Sequence, residues 1–241
     1  MHPIVRKLSL FSPLNSEEAA AVDLVLGNVR HIPAKEEVAR QGEEPRAVLF
    51  LLKGMACRHK LLTDGRRQIL SFLLPGDCCE VGVSLLAQRD HAILALEDCE
   101  VASASDDAIQ HLSRQYPKLR DALQWATLVE QAIAREWIAN VGQRSGRKRM
   151  AHLFCEHYHR MNSLGLTDGT SCPLPLTQTD VGEALGVTPI HVNRLLQDFR
   201  RLGLLAFGDK HLRILNLPAL KHMAGFDDTY LHLERREEYQ A

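Results

Sequence analysis

The 241-residue sequence has no apolar run long enough to span a bilayer. Its longest, AVLFLL from Ala47 and ILSFLL from Ile69, fall far short of the roughly 20 residues a membrane helix needs. The opening segment, MHPIVRKLSLFSPL, contains no extended apolar stretch with a small-residue cleavage site, so export is not expected. Paired cysteines are missing too. Cys57, Cys78, Cys79, Cys99, Cys155 and Cys172 are scattered without a C-x-x-C, a usage that favours reduced thiols in a cytoplasm over a disulfide framework. The expectation is a cytoplasmic protein with no membrane partner. At 45% hydrophobic and 24% charged, the composition excludes the disordered and collagen-like classes.

Signatures of catalysis are lacking as well. There is no nucleophile elbow, no phosphate-cradling Gly-x-x-x-x-Gly-Lys loop, no metal-spaced His/Cys set and no paired-carboxylate pattern, so no enzyme and no metal site are expected. CEHYHRM at Cys155–Met161 resembles a ligand cluster. However, His157 and His159 lie two apart and point to different sides of a helix, which predicts surface histidines.

What is present begins with charge. The net formal charge is −1, but residues 143–221 carry 11 Lys/Arg against 6 Asp/Glu. A basic segment in a nearly neutral chain suggests an anionic partner for that segment alone, the bland alternative being a solvated helical face.

From about Val29 to Ser105, short runs rich in Val, Ile, Leu and Phe are punctuated by Gly42, Gly54, Gly65 and Gly76. Such even spacing predicts an antiparallel β-roll rather than βαβ units, which need longer crossovers. Thr63–Arg67, TDGRR, reads as a hairpin turn. DDAIQHLSRQYP from Asp106 opens a helix with acids, which the helix dipole favours, and stops near Pro117. From Pro117 to about Val141, Leu119, Leu123, Ala126, Val129, Ile133 and Trp137 form an apolar seam at helical spacing. A seam of that kind suits pairing with a second copy, or packing on the roll. Gly142–Lys148 reads as a hinge, and Leu166–Pro175 as a loop. The expected fold is α+β with three parts: a β-roll over 1–116, a candidate dimerisation helix over 117–142, and a second domain with its tail over 143–241.

The informative stretch is QTDVGEALGVTPIHVNRLLQ, residues 178–197. Its spacing is that of a helix-turn-helix. Thr177 can cap a first helix through Leu185, Gly182 leaves room for a second helix to cross, and Gly186 supplies a left-handed turn. Thr188 caps the second helix and Pro189 occupies its first position. With Val192, Leu195 and Leu196 inward, Pro189, Ile190, His191, Asn193 and Arg194 fall on the outer face, the one that enters a major groove. Arg194 suits guanine O6 and N7, Asn193 suits adenine, and Ile190 suits a thymine methyl. His191 suits a guanine N7 or a phosphate. Gln178, Thr179 and Thr188 sit where phosphates would be met. Gly203 ends the helix, and two short strands around GDKH predict a β-wing with Lys210 at its tip.

Taken together these parts resemble the Crp/Fnr family of bacterial transcription regulators over nearly the full length. The resemblance rests on Gly42, Gly54 and Gly65, LPGD at 74–77, CEVASAS at 99–105, the long helix from Pro117, and LTQTDVGEALGVTPIHVNRLLQDFRRLGLL. It implies a cyclic-nucleotide-binding-like roll, a homodimer on palindromic double-stranded DNA, and recruitment or blocking of RNA polymerase. The cofactor and any small-molecule effector are unknown. Members that bind cyclic AMP resemble one another in a Gly-Glu at the start of a short phosphate-binding helix and an Arg-Ser just after it. Here Cys79 replaces the glycine before Glu80, and Asp90 replaces the serine after Arg89, with His91 following. A carboxylate near a phosphate is repulsive by roughly 1–4 kcal/mol, so cyclic AMP is not expected. Residues 1–56 hold no cysteine for an Fnr-type iron–sulfur centre. Alternatives are redox or metal sensing by the vicinal Cys78 and Cys79, haem ligation by His2 or His91, and a ligand-sensing module that regulates a protein partner without DNA. The acidic tail from Asp227 reads as an extra helix on the roll or a loose end.

Overall fold

The computed structural model describes residues 2–79 and 81–233. These residues divide into two compact units, one of residues 2–61, 71–79, 81–131 and 233, the other of 62–70 and 132–232. The division falls inside a long helix.

The first unit opens with α1 (Pro3–Leu8) and α2 (Ser16–Val25). Asn15 caps α2, its side chain accepting from Glu18 N while the Glu18 carboxylate accepts from Asn15 N. Eight strands follow: β1 (Arg30–Ile32), β2 (Glu37–Ala39), β3 (Val48–Lys53), β4 (Ala56–Leu61), β5 (Arg67–Leu73), β6 (Cys78–Cys79), β7 (Ala92–Ala95) and β8 (Cys99–Ala104). They form two four-stranded sheets ordered β1-β8-β3-β6 and β2-β7-β4-β5. This is the antiparallel roll that the glycine spacing predicts. Gly65, at φ +82°, makes the β4–β5 turn, where Leu62 N–H donates to Arg66 O at 2.8 Å. Between the sheets lies an aliphatic core that includes Ile32, Val38, Leu49, Leu51, Ile93 and Val101.

Then come α3 (Asp106–Gln115), capped by Ser105, and α4 (Pro117–Gln143). The seam along α4 is a correction. Leu119 and Leu123 are buried in a core shared with Val48 and Phe50, and Ala126 packs partly buried against it. Val129, Ile133 and Trp137 are buried as well. Their apolar spacing is satisfied within the chain, because α4 needs a buried stripe of its own before it can offer another. The stripe left to solvent holds Gln124, Leu128, Gln131, Arg135 and Ile138.

The second unit continues from Ala132 in α4 with α5 (Gly146–Ser163), β9 (Ser171–Pro173), α6 (Gln178–Leu185), α7 (Pro189–Arg201), β10 (Leu205–Gly208), β11 (His211–Ile214) and α8 (Leu217–Ala224). Gly142–Lys148 does hold the break between α4 and α5. The stretch read as a loop, 166–175, contains β9, which pairs antiparallel with β11 and makes the wing three-stranded. A three-residue strand ending in proline carries almost no periodic signal.

His157 is also corrected. It is buried, and its ring Nε2 donates to the carbonyl of Pro173 at 2.7 Å. Burial holds this imidazole down, from 6.5 to about 4. His159 is half-buried, with Nδ1 3.4 Å from Asp228 Oδ2. The tail packs on α5 as far as Tyr230, whose Oη–H donates to the buried Glu156 at 2.8 Å. Its acidic end, 234–241, lies outside the described residues.

Candidate nucleic-acid interface

The helix-turn-helix is built from local rules. Thr177 Oγ1 accepts from Asp180 N at 3.1 Å, and the Asp180 carboxylate accepts from Thr177 N at 2.9 Å, so α6 begins on a reciprocal cap. Gly186 ends it at φ +66°. Gly182 is where α6 meets the turn. A Cβ there would lie 2.6 Å from Val187 O, so only glycine lets the backbone of the second helix come this close. α7 starts with Thr188 accepting from His191 N at 3.3 Å and with Pro189 in its first turn. Val192, Leu195, Leu196 and Phe199 are its buried face.

The outer face therefore carries the residues expected there. Pro189, Ile190, Asn193 and Arg194 are exposed, Ile190 at 84%. Such exposure of a large aliphatic side chain costs hydration free energy unless something covers it. Arg194 Nη2 donates to Nδ1 of the half-buried His191, and Gln197 Nε2 donates to Asn193 Oδ1 at 2.9 Å. Thr179 and Thr188 are exposed and Gln178 partly so. The β10–β11 connection is a two-residue turn in which Asp209 and Lys210 both take positive φ, at 51° and 59°, a conformation that non-glycine residues adopt at some cost. Lys210 projects from it, exposed. Beside the wing, a cavity of about 290 Å³ is lined in part by Thr177, Gln178, Asn193, Arg200 and Lys210. Arg200 was missed from sequence because it sits a full turn beyond the residues that the motif singles out.

The residues expected to form an effector pocket do not converge. Glu80 lies outside the described residues. Cys79 is buried in the roll core. Asp90 is exposed and accepts from His91 Nδ1 at 2.8 Å. Arg89 lines a cavity of about 490 Å³, shared with Arg30, Glu43, Glu44 and Arg46. The buried Arg89 donates to Ala47 O at 3.4 Å. A second arginine, absent from the sequence reading, ties roll to helix. Arg58 Nη2 donates to Glu130 Oε1 on α4 and to the carbonyl of Cys78, both at 3.2 Å, and Nη1 donates to Ser71 Oγ at 3.3 Å. Burial pushes the Cys79 thiol up to about 12 and the Cys78 thiol well above its usual range. That burial disfavours the thiolate that oxidant or metal chemistry uses. His2, the other haem candidate, caps α1, its Nδ1 accepting from Ile4 N at 3.3 Å. No helix among the described residues is long and apolar enough to cross a membrane.

An antiparallel roll, a long helix and a winged helix-turn-helix define a class of DNA-binding regulators, and comparison with known proteins agrees. Residues 29–116 match the cyclic nucleotide-binding domain family and residues 148–223 the Crp-like helix-turn-helix domain family. The chain is 31% identical over 167 residues to the transcriptional regulatory protein btr of Bordetella pertussis, covering 68% of this chain and 67% of that one. It is 25% identical over 229 residues to the anaerobic regulatory protein of Aggregatibacter actinomycetemcomitans, covering 95% and 89%. The structure of FixK2 from Bradyrhizobium japonicum matches with a TM-score of 0.73 and 25% identity over 83% of this chain and 98% of that chain. The chain belongs to the Crp/Fnr family of DNA-binding transcription regulators.

Proposed function

We propose that this regulator acts as a homodimer on a two-fold-symmetric operator, with α7 in the major groove of each half-site. The observation that carries this reading is the outer face of α7. Ile190, Asn193 and Arg194 are exposed together on a helix whose opposite side is fully engaged in the core. Arg194 contributes a bidentate donor to guanine, Asn193 a bidentate contact to adenine, and Ile190 an apolar contact to a thymine methyl. Gln178, Thr179, Thr188 and Lys210 hold phosphates and set the register. The dimer forms through the solvent-facing stripe of α4 around Leu128 and Ile138, which carries exposed aliphatic side chains at helical spacing. Half-sites then fall about one helical turn apart, and the bound dimer recruits or blocks RNA polymerase. The acids Glu43 and Glu44, which line the Arg89 cavity, disfavour cyclic AMP as the effector. The test is Arg194→Ala on a selected operator. It should cost about 1–3 kcal/mol and relax preference at one base position. Uniform weakening on all sequences would instead make Arg194 a phosphate contact.

A further inference from the structure

Arg194 differs from three arginines near it. Arg147 and Arg201 are tied to Asp198 at 2.9 and 2.6 Å, and Arg149 is tied to the carbonyls of Arg144 and Leu185. Among the described residues no carboxylate lies within ion-pair distance of Arg194, and its hydrogen bond goes to His191 Nδ1. A guanidinium cannot accept, so Nδ1 must be the acceptor, and the neutral ring therefore carries its proton on Nε2. That edge of the ring lies close against the start of α5. A Cβ on Gly146, in the first turn of α5, would lie 2.8 Å from His191 Nε2. The imidazole is thus set between the start of α5 and the Arg194 fork, one helical turn from Arg194 on the same face.

We propose that His191 is a positioning residue, whose Nδ1 fixes the orientation from which Arg194 reads its base. The inference rests on the DNA-reading role of α7 and adds the source of its precision. An arginine side chain has many rotamers, and a bidentate contact is possible from few of them. A fork already held along one edge leaves its remaining N–H groups for O6 and N7, and it loses less freedom on binding. On this account His191 reads no base of its own. The glycine at 146 is part of the same device, since any side chain there would push the ring off its seat.

The experiment compares the full-length wild-type protein with His191→Ala, His191→Gln, Gly146→Ala, Arg194→Ala and the His191→Ala/Arg194→Ala double variant. Each is titrated against the operator selected by the wild type and against operators substituted at every position in turn. Arg194→Ala should flatten preference at one position, by on the order of tenfold or more. His191→Ala should flatten the same position by a smaller factor, and the double variant should be no flatter than Arg194→Ala alone. His191→Gln, whose side-chain oxygen can still accept, should recover part of the preference. Gly146→Ala should resemble His191→Ala without losing thermal stability, because what yields is the end of a side chain rather than backbone. The proposal is overturned if His191→Ala flattens a different position, weakens every sequence equally, or changes nothing. Failure of the wild type to select any sequence would overturn the DNA-reading role of α7 itself, and this inference with it. A wild-type operator with unmoved His191 variants would overturn this inference alone.

Discussion

Replacing Gly182 by alanine puts a methyl carbon 2.6 Å from the carbonyl oxygen of Val187, where ordinary contact begins at 3.4 Å. The obstacle is backbone, so the turn has to open by about 0.8 Å before the recognition helix can settle. Overpacking of this kind costs about 1–3 kcal/mol. Against it stands the gain from removing a glycine inside a helix, about 0.5–1 kcal/mol, which leaves a net loss of about 1–2 kcal/mol. For domains of this size the melting temperature should fall by about 2–8 °C. A shift of that size at the start of α7 also moves its base-reading side chains out of hydrogen-bond geometry, so operator affinity should drop by about tenfold or more. Gly142 provides the control. It lies in the last turn of α4 with nothing within 4 Å of an added Cβ, and Gly142→Ala should leave melting and binding unchanged or slightly improved. Calorimetry and operator titration on the two variants decide the matter. If Gly182→Ala behaves like Gly142→Ala in both assays, the close crossing of α6 and α7 is not what places the recognition helix.

Two other perturbations follow from burial. His157 is held neutral when folded, down from 6.5 to about 4, so the unfolded chain takes up its proton first as pH falls. The stability is present above pH 6.5 and is lost as pH falls towards 4. Between pH 7 and pH 5 His157 alone should account for a loss of about 2 kcal/mol in denaturant unfolding, and the buried His152, also lowered to about 4, adds a loss of the same sign. A His157→Asn variant should have a shallower pH slope; an unaltered slope would refute the assignment. On α4, Leu128→Glu with Ile138→Glu should give a folded monomer by sedimentation, whereas Leu119→Ala should cost about 2–5 kcal/mol without changing the association state. If the double glutamate variant remains a dimer, the interface lies elsewhere.

Where the rules are local, the sequence was legible. Thr177 and Thr188 as caps, Pro189 at a helix start, Gly186 in a left-handed turn and the small Gly182 under the crossing together predict the helix-turn-helix, because each satisfies a constraint within a few residues of itself. The roll was legible for a similar reason, through the turns at its glycines. What escaped depended on partners far along the chain. The seam of α4 has the same period whichever surface it meets, so Leu123 and Trp137 could not be told from a dimer stripe until the roll and α5 covered them. His157 looked exposed by its offset from His159, but its partner is the carbonyl of Pro173 on β9, a strand with no pattern of its own. The Arg58–Glu130 link joins residues 72 apart in the chain, and neither charge stands out in its own segment. The expected effector residues, taken from a resemblance in order along the chain, separate because Cys79 turns into the core while Asp90 turns outward to Lys60 and His91.

The central claim is that α7 reads a symmetric DNA sequence. Selection of bound duplexes from a random pool by the purified full-length protein, with no ligand added, tests it most directly. The account predicts a palindrome whose half-sites lie about one helical turn apart, with a guanine position that loses its preference in Arg194→Ala. Recovery of unrelated sequences by a folded dimer, bound only through contacts that vanish steeply with salt, would contradict it.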